Sequence, residues 1–117
     1  MTVHDVPIHD FHAHVYYRDA TERARAAILR DAITARFTVT MGRWHDVPVG
    51  PHPVPMYQVA FASDLFAAIM PWLMLNRDGL TVLVHPETGR PRDDHLVHAA
   101  WLGAILPLDG AVLPETG

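Results

Sequence analysis

The stretch Asp10–Tyr17, DFHAHVYY, decides how this chain is read. Phe11, Ala13 and Val15 alternate with His12, His14 and Tyr16, which is the period of a half-buried β-strand. The apolar set is expected to face a core. The other set puts two imidazoles on the opposite side, where they must meet water, a partner or a ligand.

Outward from this strand the elements alternate in kind. Residues 1–9 read as a loosely held lead-in. Thr21–Ala35 reads as a helix capped by Asp19 or Thr21, with Ile28, Leu29, Ala32 and Ile33 as its apolar stripe and Arg23 and Arg30 on its wet side. Arg36–Trp44 is rich in β-branched and aromatic residues and reads as a second strand. His45–Pro55, HDVPVGPHPVP, carries four prolines and one glycine and is a loop. MYQVAFA, Met56–Ala62, is a third strand. A second helix is expected from Ser63 or Asp64 to about Asn76, kinked or divided at Pro71 and closed by Gly79 in the left-handed conformation. Leu80–His85 is a fourth strand, and Asp93 or Asp94 caps a short last helix through Trp101. The Pro/Gly-rich tail from Pro107 is expected to be mobile, so 108–117 form a second loose end.

The order β-α-β-β-α-β plus a short C-terminal helix is that of a ferredoxin-like α+β domain. It predicts a four-stranded antiparallel sheet of order 4-1-3-2 with both main helices on one face. The other face is then open. It must be solvated, covered by the tail and last helix, or buried against a second copy. An open face carrying Leu83 on so small a domain leads us to expect a homodimer.

Composition narrows the chemistry. The 117 residues, half of them hydrophobic, fit a single domain over 1–117. Net charge is −4, and no basic stripe suits nucleic acid. No apolar run is long enough for a membrane helix, and the N-terminus lacks a signal-peptide core, so a cytoplasmic protein is expected. There is no cysteine and no lysine, which excludes thiolate zinc sites, cysteine nucleophiles and Schiff bases. Ser63, the sole serine, lacks the flanking glycines of a strained nucleophile turn. What remains in quantity is histidine, nine residues of it.

Strand geometry gathers three of them. The fourth strand neighbours the first and runs against it, so Thr81, Leu83 and His85 share the open face and His85 falls near His12. His14 follows roughly 6.6 Å further along. Three neutral imidazoles on one patch can bind iron, copper or zinc and leave positions open for a substrate; a hydrated face or a polar dimer seam would place them the same way. His52 is clamped between prolines and so is aimed at low entropic cost, yet it reaches the patch only if its loop folds back over the open face or a partner supplies it. His95 and His98, one helical turn apart, are expected on one face. His4, His9 and His45 read as surface residues. Asp10 and Asp94 are the nearest candidate carboxylates, and Tyr16, Trp44 and Trp101 could wall a pocket.

Three segments in order, FHAHVYY, GPHPVPMYQVAF and LTVLVHPETG followed by DDHLVHAAWLG, resemble the DOPA 4,5-dioxygenase family over about residues 8–108. The resemblance implies a ferredoxin-like domain that uses non-haem iron(II) and O2 for extradiol cleavage of a catechol, giving a muconic semialdehyde-type product. The family's histidine pattern falls on His12, His14, His52, His85, His95 and His98. The RPRDD turn, with two arginines, departs from it and bears on the substrate charge accepted. On this reading His12, His14 and His85 hold Fe2+, or another divalent metal such as Zn2+, while His52 or His95 takes a catechol proton. The usual extradiol set is two histidines and a carboxylate, so Asp10 or Glu87 could replace one imidazole. Arg43 and Arg92 could meet a substrate carboxylate. The alternatives are a metal-free dimeric binding module and a zinc-dependent hydratase or isomerase.

Overall fold

A computed structural model describes residues 1–117. The chain folds as β1 (Asp10–Tyr16), α1 (Ala20–Arg36), β2 (Thr40–Met41), β3 (Met56–Ala62), a 3₁₀ turn (Ser63–Leu65), α2 (Phe66–Asn76), β4 (Val82–Pro86), α3 (Pro91–Leu96) and β5 (Ala100–Leu102), with a last 3₁₀ turn at Gly110–Val112. The strands form one sheet of order β2-β3-β1-β4-β5, and all neighbours are antiparallel. The first four strands thus have the expected ferredoxin-like order, and β5 extends it.

Each departure from expectation has a local cause. Ala100–Leu102 is a strand, not the end of a helix, because it pairs with the otherwise free edge of β4. The last helix therefore stops at Leu96, and Arg90 precedes its first residue, with Pro91 at the position where a missing N–H costs nothing. The second strand shrinks to Thr40–Met41 because α1 runs on to Arg36 and Phe37 donates its N–H to the Ile33 carbonyl. α2 runs unbroken through Pro71, its sixth residue, and forgoes only the N–H that would have bonded the Ala67 carbonyl. Gly79 has the expected positive φ of 75°, and Asp78 before it shares that region at 53°.

α1 is capped by Asp19, whose side chain accepts from the Glu22 N–H at 2.8 Å. Its buried stripe is Glu22, Ala26, Leu29 and Ile33, spaced by four, three and four residues, and Ile28 is 72 % exposed. Arg30 is not on the wet side either. Its guanidinium lies against the Trp44 and Tyr57 rings at 5.1 and 4.9 Å, while Arg23 covers Trp44 from 4.1 Å. Both helices pack on one face of the sheet, over Ala13, Val15, Tyr57, Val59, Phe61, Val82 and Val84.

The other face is covered from within the chain. Tyr16, Met56 and Leu83 form a second apolar cluster, on which Val49, Val54, Trp101, Leu106 and Leu108 pack. Leu83 is fully buried, so the apolar reason for expecting a homodimer is met inside the chain. The tail has a defined seat: the Arg92 side chain donates to the carbonyls of Gly110 (3.1 Å) and Leu113 (2.8 Å) and pairs with Glu115 at 2.8 Å. The tail also grips the proline-rich loop, the Asp109 N–H donating to the Pro51 carbonyl. Arg92 is thereby consumed and is not free to meet a substrate carboxylate. Replacing it in Arg92→Ala should raise amide exchange across 106–113 while leaving β1, β3 and β4 protected; unchanged exchange in the tail would show that Leu106 and Leu108 alone seat it.

A candidate metal-binding histidine cluster

The cluster is built on the register of β1 and β4. His12 lies directly opposite His85, and His14 opposite Leu83. Because alternate residues of a strand face opposite sides, Phe11, Ala13 and Val15 go to the helices and His12, His14 and Tyr16 to the second face, as the sequence predicts. The Nε2 atoms of His14 and His85 stand 3.1 Å apart.

Two further imidazoles arrive from outside the sheet. The proline-rich loop does fold back over this face. It is pinned by the paired backbones of His45 and Met56, and by Asp46, which accepts from Tyr17 and Arg23 at 2.8 Å each. His52 is thereby buried 4.3 Å, centroid to centroid, from His14. α3 carries His95 to within 3.9 Å of the His85 ring. That helix is held by Asp94, which accepts from the Thr88 N–H (2.9 Å) and hydroxyl (2.6 Å). Asp94 is thus a turn-closing group, not a site carboxylate. His98 is not brought in: α3 ends before it, and its ring packs edge-on to His4, 6.1 Å away. The five rings form two overlapping triads, His12–His14–His85 and His14–His52–His95. In each triad one possible ligand atom from every residue lies within 4.8 Å of the others.

The outer ring nitrogens are tethered. His85 Nδ1–H donates to the Pro86 carbonyl at 3.0 Å, and His95 Nδ1–H to the Pro91 carbonyl at 2.7 Å. His12 Nδ1 lies 3.2 Å from the Glu87 carboxylate, which also approaches His85 Nδ1 at 3.5 Å. His14 Nδ1 faces the Met56 sulfur at 3.5 Å, and His52 Nδ1 the Tyr16 hydroxyl at 2.7 Å. A carbonyl can only accept, so the proton of His85 sits on Nδ1 and its Nε2 is a bare lone pair aimed at His14 Nε2. The gap between them is filled either by a proton on His14 or by a cation that both ligate. Two imidazoles that bind one ion at ~2.1 Å each also stand about 3 Å apart, so the spacing suits a shared metal once each ring tilts to turn its lone pair from the facing nitrogen toward the ion. Outer nitrogens tied to carbonyls and carboxylates are the usual support of metal-binding histidines.

Burial disfavours the charged form of four of these rings, His12, His14, His52 and His85. His85 is pushed down to about 3, by burial first and then by the facing His95, with the Pro86 carbonyl opposing. His52 falls to about 4 through burial, then His95 and His45. His14 lies well below the ordinary imidazole range for burial and for its neighbours His52, His85, His95 and His12; His12 is lowered less, since Asp10 opposes its burial. Burial raises the Tyr16 hydroxyl and, with Asp94, the Glu87 carboxyl. Glu87 sits on the Nδ1 side of the rings and Asp10 is exposed, so neither joins a ligand triad. Tyr16 is the partner that sequence reasoning left as a pocket wall; its place on the same alternating face as His12 and His14 was the available signal. A cavity of about 870 Å3 lies under residues 1–8 on the helix side and is lined by none of the five rings.

Comparison with known proteins agrees with the resemblance read from the motifs. The sequence profile of the Dopa 4,5-dioxygenase family matches residues 11–112. A DOPA 4,5-dioxygenase of Amanita muscaria is 38% identical over 121 aligned positions, covering 97% of this chain and 53% of that protein. An uncharacterized 21.2 kDa protein of Botryotinia fuckeliana is 39% identical over 110 positions, covering 85% and 60%. The chain therefore spans between half and two thirds of the length of these curated relatives. A crystal structure from Nostoc punctiforme, described as that of a candidate dioxygenase, superposes with a TM-score of 0.87 at 55% identity over 90% of each chain. On these matches, and with its histidines on the expected strands, the chain belongs to the DOPA 4,5-dioxygenase family.

Proposed function

We propose that the chain is a non-haem iron(II) extradiol dioxygenase that cleaves the ring of a catecholic, DOPA-like substrate with O2. The observation that carries this reading is the 3.1 Å approach of His14 and His85 through their Nε2 atoms, with the His85 proton tied away on Nδ1. His12, His14 and His85 would hold the metal. Bound there, iron(II) supplies Lewis acidity toward a catechol hydroxyl and the electrons that activate O2.

The remaining roles fall to the chain's own groups. The Glu87 carboxylate lies 3.2 Å from His12 Nδ1 and favours a proton on that nitrogen, which leaves the other one free. His95, its proton held on Nδ1 by the Pro91 carbonyl, offers a bare Nε2 as the base for the second catechol proton. His52 is the other acid–base candidate. His14, His52 and His85 are buried beneath the loop and tail, while His12, His95 and Glu87 are partly open. Substrate would therefore enter on their side, and the far wall would keep water off.

His85→Ala and His14→Ala should each weaken Zn2+ or Fe2+ binding by more than the 10- to 100-fold expected of Glu87→Gln. His98→Ala should bind as the parent does. Equilibrium dialysis reads this directly, and equal affinity across all four variants would remove the proposed seat. Anaerobically reconstituted iron protein should consume O2 and yield a yellow semialdehyde with at least one catechol of a small panel. Metal bound without O2 uptake would leave only a non-oxidative metal enzyme.

The metal-free protein should also be acid-sensitive. His85 and His52 have native values near 3 and 4 against an unfolded value near 6.5. The unfolded chain therefore binds the protons first. Stability from these rings is complete above about pH 6.5 and is lost as pH falls toward 3 to 4. At pH 5 His85 alone accounts for about 2 kcal/mol. Thermal melts in the presence of a chelator should show Tm falling between pH 7 and 5; a flat profile would mean that the rings are solvated.

A further inference from the structure

The two overlapping triads are not equivalent, because one ring is tethered differently from its neighbours. His85 and His95 lean on backbone carbonyls and His12 on a carboxylate, groups that only accept. His85 and His95 are thereby fixed with their protons on Nδ1. His52 alone leans on a hydroxyl, which can donate or accept.

Burial decides the direction. Tyr16 is 1% exposed. Its ring stacks on Trp101 at 6.0 Å and packs with Met56 and Leu83, and its hydroxyl makes no hydrogen bond except the one to His52 Nδ1. If His52 donated from Nδ1, the hydroxyl proton of Tyr16 would be buried with no acceptor, which is costly. If Tyr16 donates, both groups are satisfied, and the His52 proton must sit on Nε2. The backbone agrees with a fixed ring: His52 lies between Pro51 and Pro53, and its N–H donates to the Val49 carbonyl at 3.1 Å.

We propose that Tyr16 is a positioning residue that locks His52 as the Nε2–H tautomer. His52 is then a hydrogen-bond donor facing the cluster, not a metal ligand, and its donor serves an anionic oxygen on the bound substrate. The tautomer stands on the geometry alone; only the oxygen it serves rests on the dioxygenase reading. The metal seat is thereby assigned to the triad of His12, His14 and His85, because a protonated Nε2 cannot ligate.

Long-range 1H–15N correlation on the 15N-labelled, metal-free protein reads each imidazole's tautomer and needs no variant. His52 is expected with its proton on Nε2, and His85 and His95 with theirs on Nδ1. In Tyr16→Phe the His52 signature should move toward the Nδ1–H form while those of His85 and His95 stay. The same variant should keep Zn2+ affinity within about threefold of the parent, against a loss in His14→Ala greater than the roughly 10- to 100-fold expected for an outer partner of a ligand. His52 found with its proton on Nδ1, or a tautomer indifferent to Tyr16→Phe, overturns the proposal. So does a Tyr16→Phe or His52→Gln variant that loses metal as severely as His14→Ala. Absence of Zn2+ binding in the parent would instead sink the metal-dependent function and leave the tautomer assignment standing.

Discussion

The pairing of β1 against β4 is the constraint on which the rest depends. It sets His12 across from His85 and brings His14 Nε2 to 3.1 Å from His85 Nε2. The same register sets Ala13 across from Val84 on the helix side, so one hydrogen-bond ladder fixes both the core and the cluster. A slip by one residue would send the imidazoles into the hydrocarbon and Phe11, Ala13 and Val15 to the other face. The apolar side therefore enforces the polar one. The histidines need not stabilise the fold in order to be placed by it.

Gathering five imidazoles in a largely dry space would be unfavourable if any of them carried charge. Burial disfavours charge on His12, His14, His52 and His85, and the outer nitrogen of each of the five rings is set against a neighbour. Those ties come from different places: the strand's own end (Pro86), the first turn of α3 (Pro91), the turn after β4 (Glu87), β3 (Met56) and β1 itself (Tyr16). Each sets which nitrogen is free, and the free nitrogens determine what the cluster can bind. An inward lone pair facing another is strained until a proton or a cation lies between them.

The cover over this face is made by segments with little regular structure. The proline-rich loop is stiff, is pinned at one end by the Asp46–Arg23–Tyr17 contacts, and is joined to the tail through Pro51 and Asp109. The tail in turn is clasped by Arg92 at the start of α3. Cover, loop and helix therefore hold one another. Displacing the tail should be felt at His52, far along the sequence from it.

The strand alternation at Phe11–Tyr16, the third strand at Met56–Ala62, the ferredoxin-like order of the first four strands and the meeting of His12, His14 and His85 were all legible in the sequence. They depend on the two-residue period and on antiparallel neighbourhood, which are local properties carried by residue type. The short β2, the fifth strand at Ala100–Leu102 and the rotated stripe of α1 were not legible. Edge pairing and helix rotation are settled by what lies across a gap, not by the residues' own preferences. The arrival of His52 and His95, the dismissal of His98 and the consumption of Arg92 by the tail were likewise decided in three dimensions. A loop's direction is set by contacts remote in sequence, such as Asp46 with Arg23 and Asp109 with Pro51, and no local pattern encodes them.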